Sequence, residues 1–177
     1  YRRQRQMCIR DSSTRLGVAG WPGAGEELQI QRDIALSELT GCSIHIQHIT
    51  TARGVDIVRQ GKSRGIKVTC EATPHHIVLN EDDLTSTYNT KLKMNPPLRT
   101  KADNKSIIEG IKDGTIDCIV TDHAPHAAHE KAREFELAPF GMTGLETSLG
   151  AVLTYLVRPG HIDYDRMVEL MAIRPRE

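Results

Sequence analysis

From Gly17 onward, segments whose apolar residues follow helical spacing alternate with short, nearly continuous apolar runs. After a Gly/Pro-rich loop at 20–27, the spacing predicts a helix over 27–39 that ends at Gly41, glycine being favoured just past a helix. Residues 42–50 are rich in isoleucine and short enough for a buried strand. A helix is predicted over 52–64, stopped by Gly65, and a second buried strand over 66–72. Beyond a loop holding Asn95-Pro96-Pro97, Thr100 and Asp103 have the spacing of a capping box. The helix they open carries Ile107, Ile108 and Ile111 on one face, Gly114 closes it, and 115–121 reads as a third buried strand. Leu145, Leu149, Val152, Leu153 and Leu156 form the stripe of an amphipathic helix, and a last helix is predicted over 163–171. The chain has no internal repeat, low-complexity tract or linker.

Helices alternating with buried strands imply right-handed βαβ crossovers and a parallel sheet. An open doubly wound sheet and a (β/α)8 barrel both fit. No GxGxxG follows a strand, which weakens the dinucleotide-binding form of the open sheet. A complete barrel takes about 250 residues. With three strands legible, the expected α/β fold is a partial (β/α)8 TIM-type barrel holding the later strands only.

Composition narrows the partners. The 177 residues are 38% hydrophobic and 26% charged with zero formal net charge, ordinary for a soluble globular protein. No excess of Lys or Arg favours nucleic acid or an anionic membrane surface, and no apolar run approaches a membrane span. Cys8, Cys42, Cys70 and Cys118 lie far apart without a CxxC pair. The last three sit in or beside apolar runs and read as small hydrophobes in a reducing, cytoplasmic compartment. Residues 1–12 are basic, lack amphipathic spacing and look like a translated sequencing adapter, so the expected domain is 16–177.

All three strands run into histidine or aspartate: SIHIQHI, then TPHH, then TDHAPH. In an α/β barrel catalytic groups project from the C-terminal ends of strands, and imidazole and carboxylate suit a catalytic zinc. His45 and His48 are three apart and face opposite sides of a regular strand. His48 is the better ligand, and His45 is expected to pack between sheet and helix. His75 and His76 are expected to split in the same way. Asp122 is costly to bury unless paired or bound to a cation, and beside a metal it can also carry a proton.

Five motifs occur in order: HIQHIT with His48, TCEATPHH at 69–76, MNPPLR at 94–99, TDHAPH at 121–126 and PFGMTGLET at 139–147. Together they resemble the later barrel strands of the bacterial dihydroorotase family, in the amidohydrolase superfamily, over nearly the whole chain from Leu16. The resemblance implies that His48 and His76 bind the second of two Zn2+ ions. It implies that Asp122 ligates the first and serves as catalytic base and acid. Asn95 and His126 would hold the substrate, and Phe140 and Gly141 would contact its ring through backbone groups. Arg99 is expected to lie at the surface or behind the ligands.

The implied reaction is reversible hydrolysis of (S)-dihydroorotate to N-carbamoyl-L-aspartate, in pyrimidine synthesis. Implied assemblies are a homodimer or an association with aspartate carbamoyltransferase. The family's His-x-His pair, metal-bridging ligand and substrate arginine would lie upstream of Leu16, so the chain alone is expected to be inactive and prone to aggregate. Allantoinase, dihydropyrimidinase, a stand-alone structural domain with the histidines as core residues, and a non-catalytic dihydroorotase-like subunit are the rival readings. Retention of His48, His76 and Asp122 argues against the last.

Overall fold

Three short parallel strands, β1 (Ile44–Ile46), β2 (Val68–Ala72) and β3 (Cys118–Ile119), form one sheet in the order β1-β2-β3. The computed structural model describes residues 11–84 and 87–176. Most of the basic leader lies outside these residues, as does Cys8, while Asp11 opens α1 (Asp11–Leu16). Ile44 is level with Val68 across the first pair of strands, and Glu71 with Cys118 across the second. Neighbouring strands are therefore also consecutive in the chain, the winding of a barrel and of either half of a doubly wound sheet. A doubly wound sheet would reverse direction at a switch point.

The crossovers are α3 (Ala52–Ser63) between β1 and β2, and α5 (Lys101–Lys112) between β2 and β3. With α2 (Gly23–Thr40) they cover one face of the sheet. The core lies between the layers: Ile46, Val68, Cys70, Ala72 and Ile119 meet Ile30, Ile34, Val55, Val58, Ile107 and Ile111. By alternation, His45, Thr69 and Glu71 stand on the other face, with Cys118 level with Glu71.

Helix ends follow local chemistry. Gly41 and Gly65 adopt left-handed φ values of 70° and 77°, which glycine takes without steric cost. The Thr100 hydroxyl accepts from Asp103 N at 3.3 Å, and the Asp103 carboxylate accepts from Thr100 N at 3.1 Å, completing the box that opens α5. α2 starts four residues earlier than the spacing predicts.

Strand limits differ more. Pairing covers 44–46 rather than 42–50, because the chain turns at His48, whose φ is 51°. β3 is short, although Asp117 N and Val120 N continue its bonding to Cys70 O and Ala72 O. The leucine stripe at 145–156 is only partly realised. α4 (Pro74–Val78), α6 (Ala128–Lys131) and α7 (Ser148–Val152) follow in chain order, and α7 runs on as a π-helical turn, Leu153–Val157. Val152 and Leu156 are buried, but Leu145 and Leu149 are exposed. Leu145 lies in the turn before α7, where its N donates to His123 Nδ1, and Leu149 is exposed although it lies within α7. The last helix, α8 (Tyr164–Val168), is capped by Asp163 and continues through Glu169–Ile173. Cys70 and Cys118 are buried free thiols, whereas Cys42 is exposed and so departs from its apolar reading. Among the described residues, no helix is long and apolar enough to cross a membrane.

Asp103 also accepts from Ala52 N at 2.9 Å, tying the start of α5 to the start of α3. Asp103→Ala is expected to lower the unfolding free energy by about 2 kcal/mol. A urea titration checks this against Lys105→Ala on the exposed side of the same helix, which should change it by less than about 0.5 kcal/mol.

Candidate functional site

The C-terminal ends of β1 and β3 deliver His48 and Asp122 to the same place. Both are non-glycine residues with positive φ, 51° and 44°. Such residues are uncommon, and they collect where a site holds its backbone in place. His48 Nε2 lies 3.6 Å from Asp122 Oδ1, although β2 separates their strands. Two donors each about 2.1 Å from a tetrahedral zinc stand about 3.4 Å apart. An imidazole nitrogen and a carboxylate oxygen at this separation fit two corners of one ion, a departure from the expectation that His48 and Asp122 serve different ions.

Behind His48 sits Glu71, buried at the end of β2. Its Oε1 is 2.8 Å from His48 Nδ1, an ion-pair contact without the alignment of a hydrogen bond. Its Oε2 is 3.0 Å from His45 Nε2, and His45 Nδ1 meets Thr69 Oγ1 at 2.7 Å. This corrects the expectation for His45, which is exposed on the face away from the helices rather than packed beneath them. The strand ends at Ile46, so alternation does not reach His48, and both rings touch one carboxylate. Contact with Glu71 raises the His48 pKa above the ordinary 6.5, against the effect of burial. Burial alone would push Glu71 up, but its contacts with His48 and His45 outweigh this and hold it below the ordinary 4.5.

The histidine pair after β2 divides. Thr73 caps α4, and its hydroxyl also meets His76 Nδ1 at 2.7 Å. His76 Nε2 donates to Pro96 O at 2.9 Å, so both nitrogens of this buried ring are engaged and His76 ties α4 to the Asn95–Pro96 loop. Its neighbour His75 is also buried, and its Nε2 has no partner. Burial lowers the His75 pKa to about 4, with Asp122 pulling the other way. The structure thus joins His48 with Asp122 and holds His76 in a separate set of bonds.

Asn95 is exposed and lines a cavity of about 380 Å³ together with His48 and His45. His126 and Phe140 meet directly, His126 Nε2 donating to Phe140 O at 2.7 Å. Gly141 N donates to Lys93 O at 2.9 Å, linking this pair to the loop that carries Asn95. Lys93 itself lies 4.5 Å from the centre of the exposed Phe140 ring. Gly141 has φ 119°, and a Cβ there would stand 2.6 Å from that of Ala124. A Cβ at Gly144 would stand 2.6 Å from Thr121 O, so 139–144 runs hard against 121–124. A larger cavity, about 580 Å³, is lined by Trp21, Met94, Phe135 and Phe140 and contains none of His48, His75 and Asp122.

Arg99 is buried rather than at the surface. It donates to Trp21 O, to Thr50 Oγ1 at 3.0 Å and to Glu26 Oε2 at 3.3 Å. Glu26 also accepts from Thr50 N at 2.7 Å and Thr51 N at 3.1 Å. Sequence reasoning missed Glu26 and Glu71. The available signal for Glu71 was a lone carboxylate inside an apolar strand.

No family model matches the chain. It is 52% identical over 163 residues to a dihydroorotase from Acetivibrio thermocellus, covering 92% of this chain and 38% of that relative. It is 46% identical over 172 residues to the dihydroorotase of Anoxybacillus flavithermus, covering 96% of this chain and 40% of that one. Among solved structures, an L-hydantoinase (dihydropyrimidinase) from Arthrobacter aurescens superposes with a TM-score of 0.84 at 31% identity, over 93% of this chain and 37% of that one. A D-hydantoinase (dihydropyrimidinase) from a Thermus species gives 0.75 at 27% identity, over 84% and 33%. Sequential winding, a parallel sheet covered by helices and these neighbours define the class: part of an amidohydrolase TIM barrel. Within that class the chain is similar in sequence to these dihydroorotases, spanning about 38–40% of the length of these curated relatives.

The His75 shift has a definite sign. The unfolded ring takes a proton near 6.5 and the folded ring only near 4, so His75 costs stability progressively as pH falls from 6.5 towards about 4. The raised His48 contributes stability below 6.5 that is lost as pH rises through its folded value. Ring titration of the metal-free chain by NMR should place the His48 midpoint above 6.5 and leave His75 neutral until about pH 4. The reverse order would contradict the burial described for the two rings.

Proposed function

We propose that residues 16–177 are the C-terminal part of the barrel of a metal-dependent dihydroorotase, in which His48 and Asp122 are metal-holding residues. The observation that carries this reading is their 3.6 Å approach from two non-adjacent strand ends. Such a separation suits shared coordination, and the identity to dihydroorotases supports the choice of substrate. Zinc fits the nitrogen and oxygen donors, two ions per complete site being the number the resemblance implies. When bound, the metal supplies Lewis acidity at the ring carbonyl and lowers the pKa of water.

The chain's own residues divide the remaining tasks. Asp122 takes the proton from the attacking water and returns it to the departing ring nitrogen. Asn95 and His126 donate hydrogen bonds to the carboxylate of (S)-dihydroorotate, and the backbone at Phe140–Gly141 lies along its ring. His76 was expected as a ligand, but its two engaged nitrogens support a positioning role, holding the Asn95–Pro96 loop. The product is N-carbamoyl-L-aspartate.

A hydantoin or dihydropyrimidine ring is the second reading, favoured by the solved neighbours. The higher identity to dihydroorotases places it second. In the complete enzyme containing this segment, turnover on dihydroorotate should exceed that on hydantoin and dihydrouracil. Asp122→Asn should reduce kcat by about 10²–10⁴-fold while leaving the fold intact by circular dichroism. Substantial turnover by Asp122→Asn would overturn its role. The 177-residue chain alone, which holds His48 and Asp122 without the upstream ligands the resemblance implies, should show no hydrolysis in a zinc-supplemented assay.

A further inference from the structure

A carboxylate placed inside a protein is costly unless each oxygen finds a partner. Glu71, only 6% exposed, meets this condition with two imidazoles. Oε2 takes His45 Nε2 at 3.0 Å, and Oε1 faces His48 Nδ1 at 2.8 Å. The far end of the chain of contacts is fixed by Thr69, whose hydroxyl meets His45 Nδ1 at 2.7 Å. The near end is the other ring nitrogen of His48, which is left on the Asp122 side. Metal-binding imidazoles generally direct their second nitrogen at a carboxylate, carbonyl or water, which fixes the tautomer and the ring orientation.

We propose that Glu71 is the positioning residue of the metal centre: it holds the His48 ring with Nε2 towards Asp122, and His45 holds Glu71 in turn. This rests on reading His48 and Asp122 as metal-holding residues. A competing arrangement uses the same carboxylate differently. His45, Glu71 and Cys118 offer ligand atoms within 4.8 Å of one another, so Glu71 could instead be a ligand on the face below.

The test uses the complete enzyme containing this segment, loaded with Co2+. Affinity is measured by chelator competition, ligand geometry by the visible cobalt spectrum, and kcat and KM alongside. Glu71→Ala should weaken cobalt binding about 10–100-fold and alter the spectrum. The isosteric Glu71→Gln, which keeps the size and an oxygen facing Nδ1 but loses the charge, should fall between it and the parent, and His45→Gln should lose less than Glu71→Ala. If Glu71→Ala fails to fold, Glu71→Gln decides, with its thermal midpoint in the metal-free state as the control. Binding within about threefold of the parent with an unchanged spectrum in the folded Glu71 variants would overturn the proposal. Equal losses in Cys118→Ser and Glu71→Ala would also overturn it, making Glu71 a ligand with Cys118. Full cobalt binding by His48→Ala would instead remove the metal reading itself.

Discussion

The buried Arg99 guanidinium and the Glu26 carboxylate beside it draw on two other stretches of chain. Trp21 O comes from the segment leading into α2, Thr50 and Thr51 from the turn after β1, and Arg99 itself follows the Asn95-Pro96-Pro97 loop. Each group alone would be expensive to bury, and together they are offset by their mutual charge and by the hydroxyl and backbone partners. Removing one would leave the other charged and stranded, a loss of about 3–5 kcal/mol in comparable buried pairs. The turn that this pair secures begins two residues after His48. The left-handed backbone there is therefore braced from the helix side, where a free loop would relax it.

The helices were largely legible because their ends are local decisions. Gly41 and Gly65 stop α2 and α3 at the positions their spacing indicated, and the Thr100–Asp103 box needs only four residues to form. Strand limits were less legible, since they depend on where the backbone leaves the ladder. His48 turns out of the sheet early, and the alternation that placed His45 towards the helices applied to a strand longer than the real one. Leu145 belonged to a sound amphipathic stripe, yet it lies in the turn before α7, its amide bonded to His123.

The site shows the same division. His48 and Asp122 could be picked out because each ends an apolar run. Glu71 showed only as a lone carboxylate in an apolar strand, and its significance comes from His45 and His48 across the strand gap, at 3.0 and 2.8 Å. Arg99 read as a cation at the surface or behind the ligands, since nothing in its own neighbourhood announces Glu26, 73 residues earlier in the chain. His75 and His76 are adjacent in sequence and equally polar. Only the Thr73 hydroxyl and Pro96 O decide which ring keeps a free nitrogen.

The seam between 139–144 and 121–124 has no slack. A methyl group at Gly144 would meet Thr121 O, one at Gly141 would meet Ala124, and His123 ties both sides through Gly144 N and Leu145 N. Residues from both sides, His126 and Phe140, face each other across it. A lineage that altered one edge would have to alter the other in the same step. Divergence here would call for matched pairs of changes, and a new shape for this seam would arise more readily by lengthening the chain beyond either edge than by substitution within it.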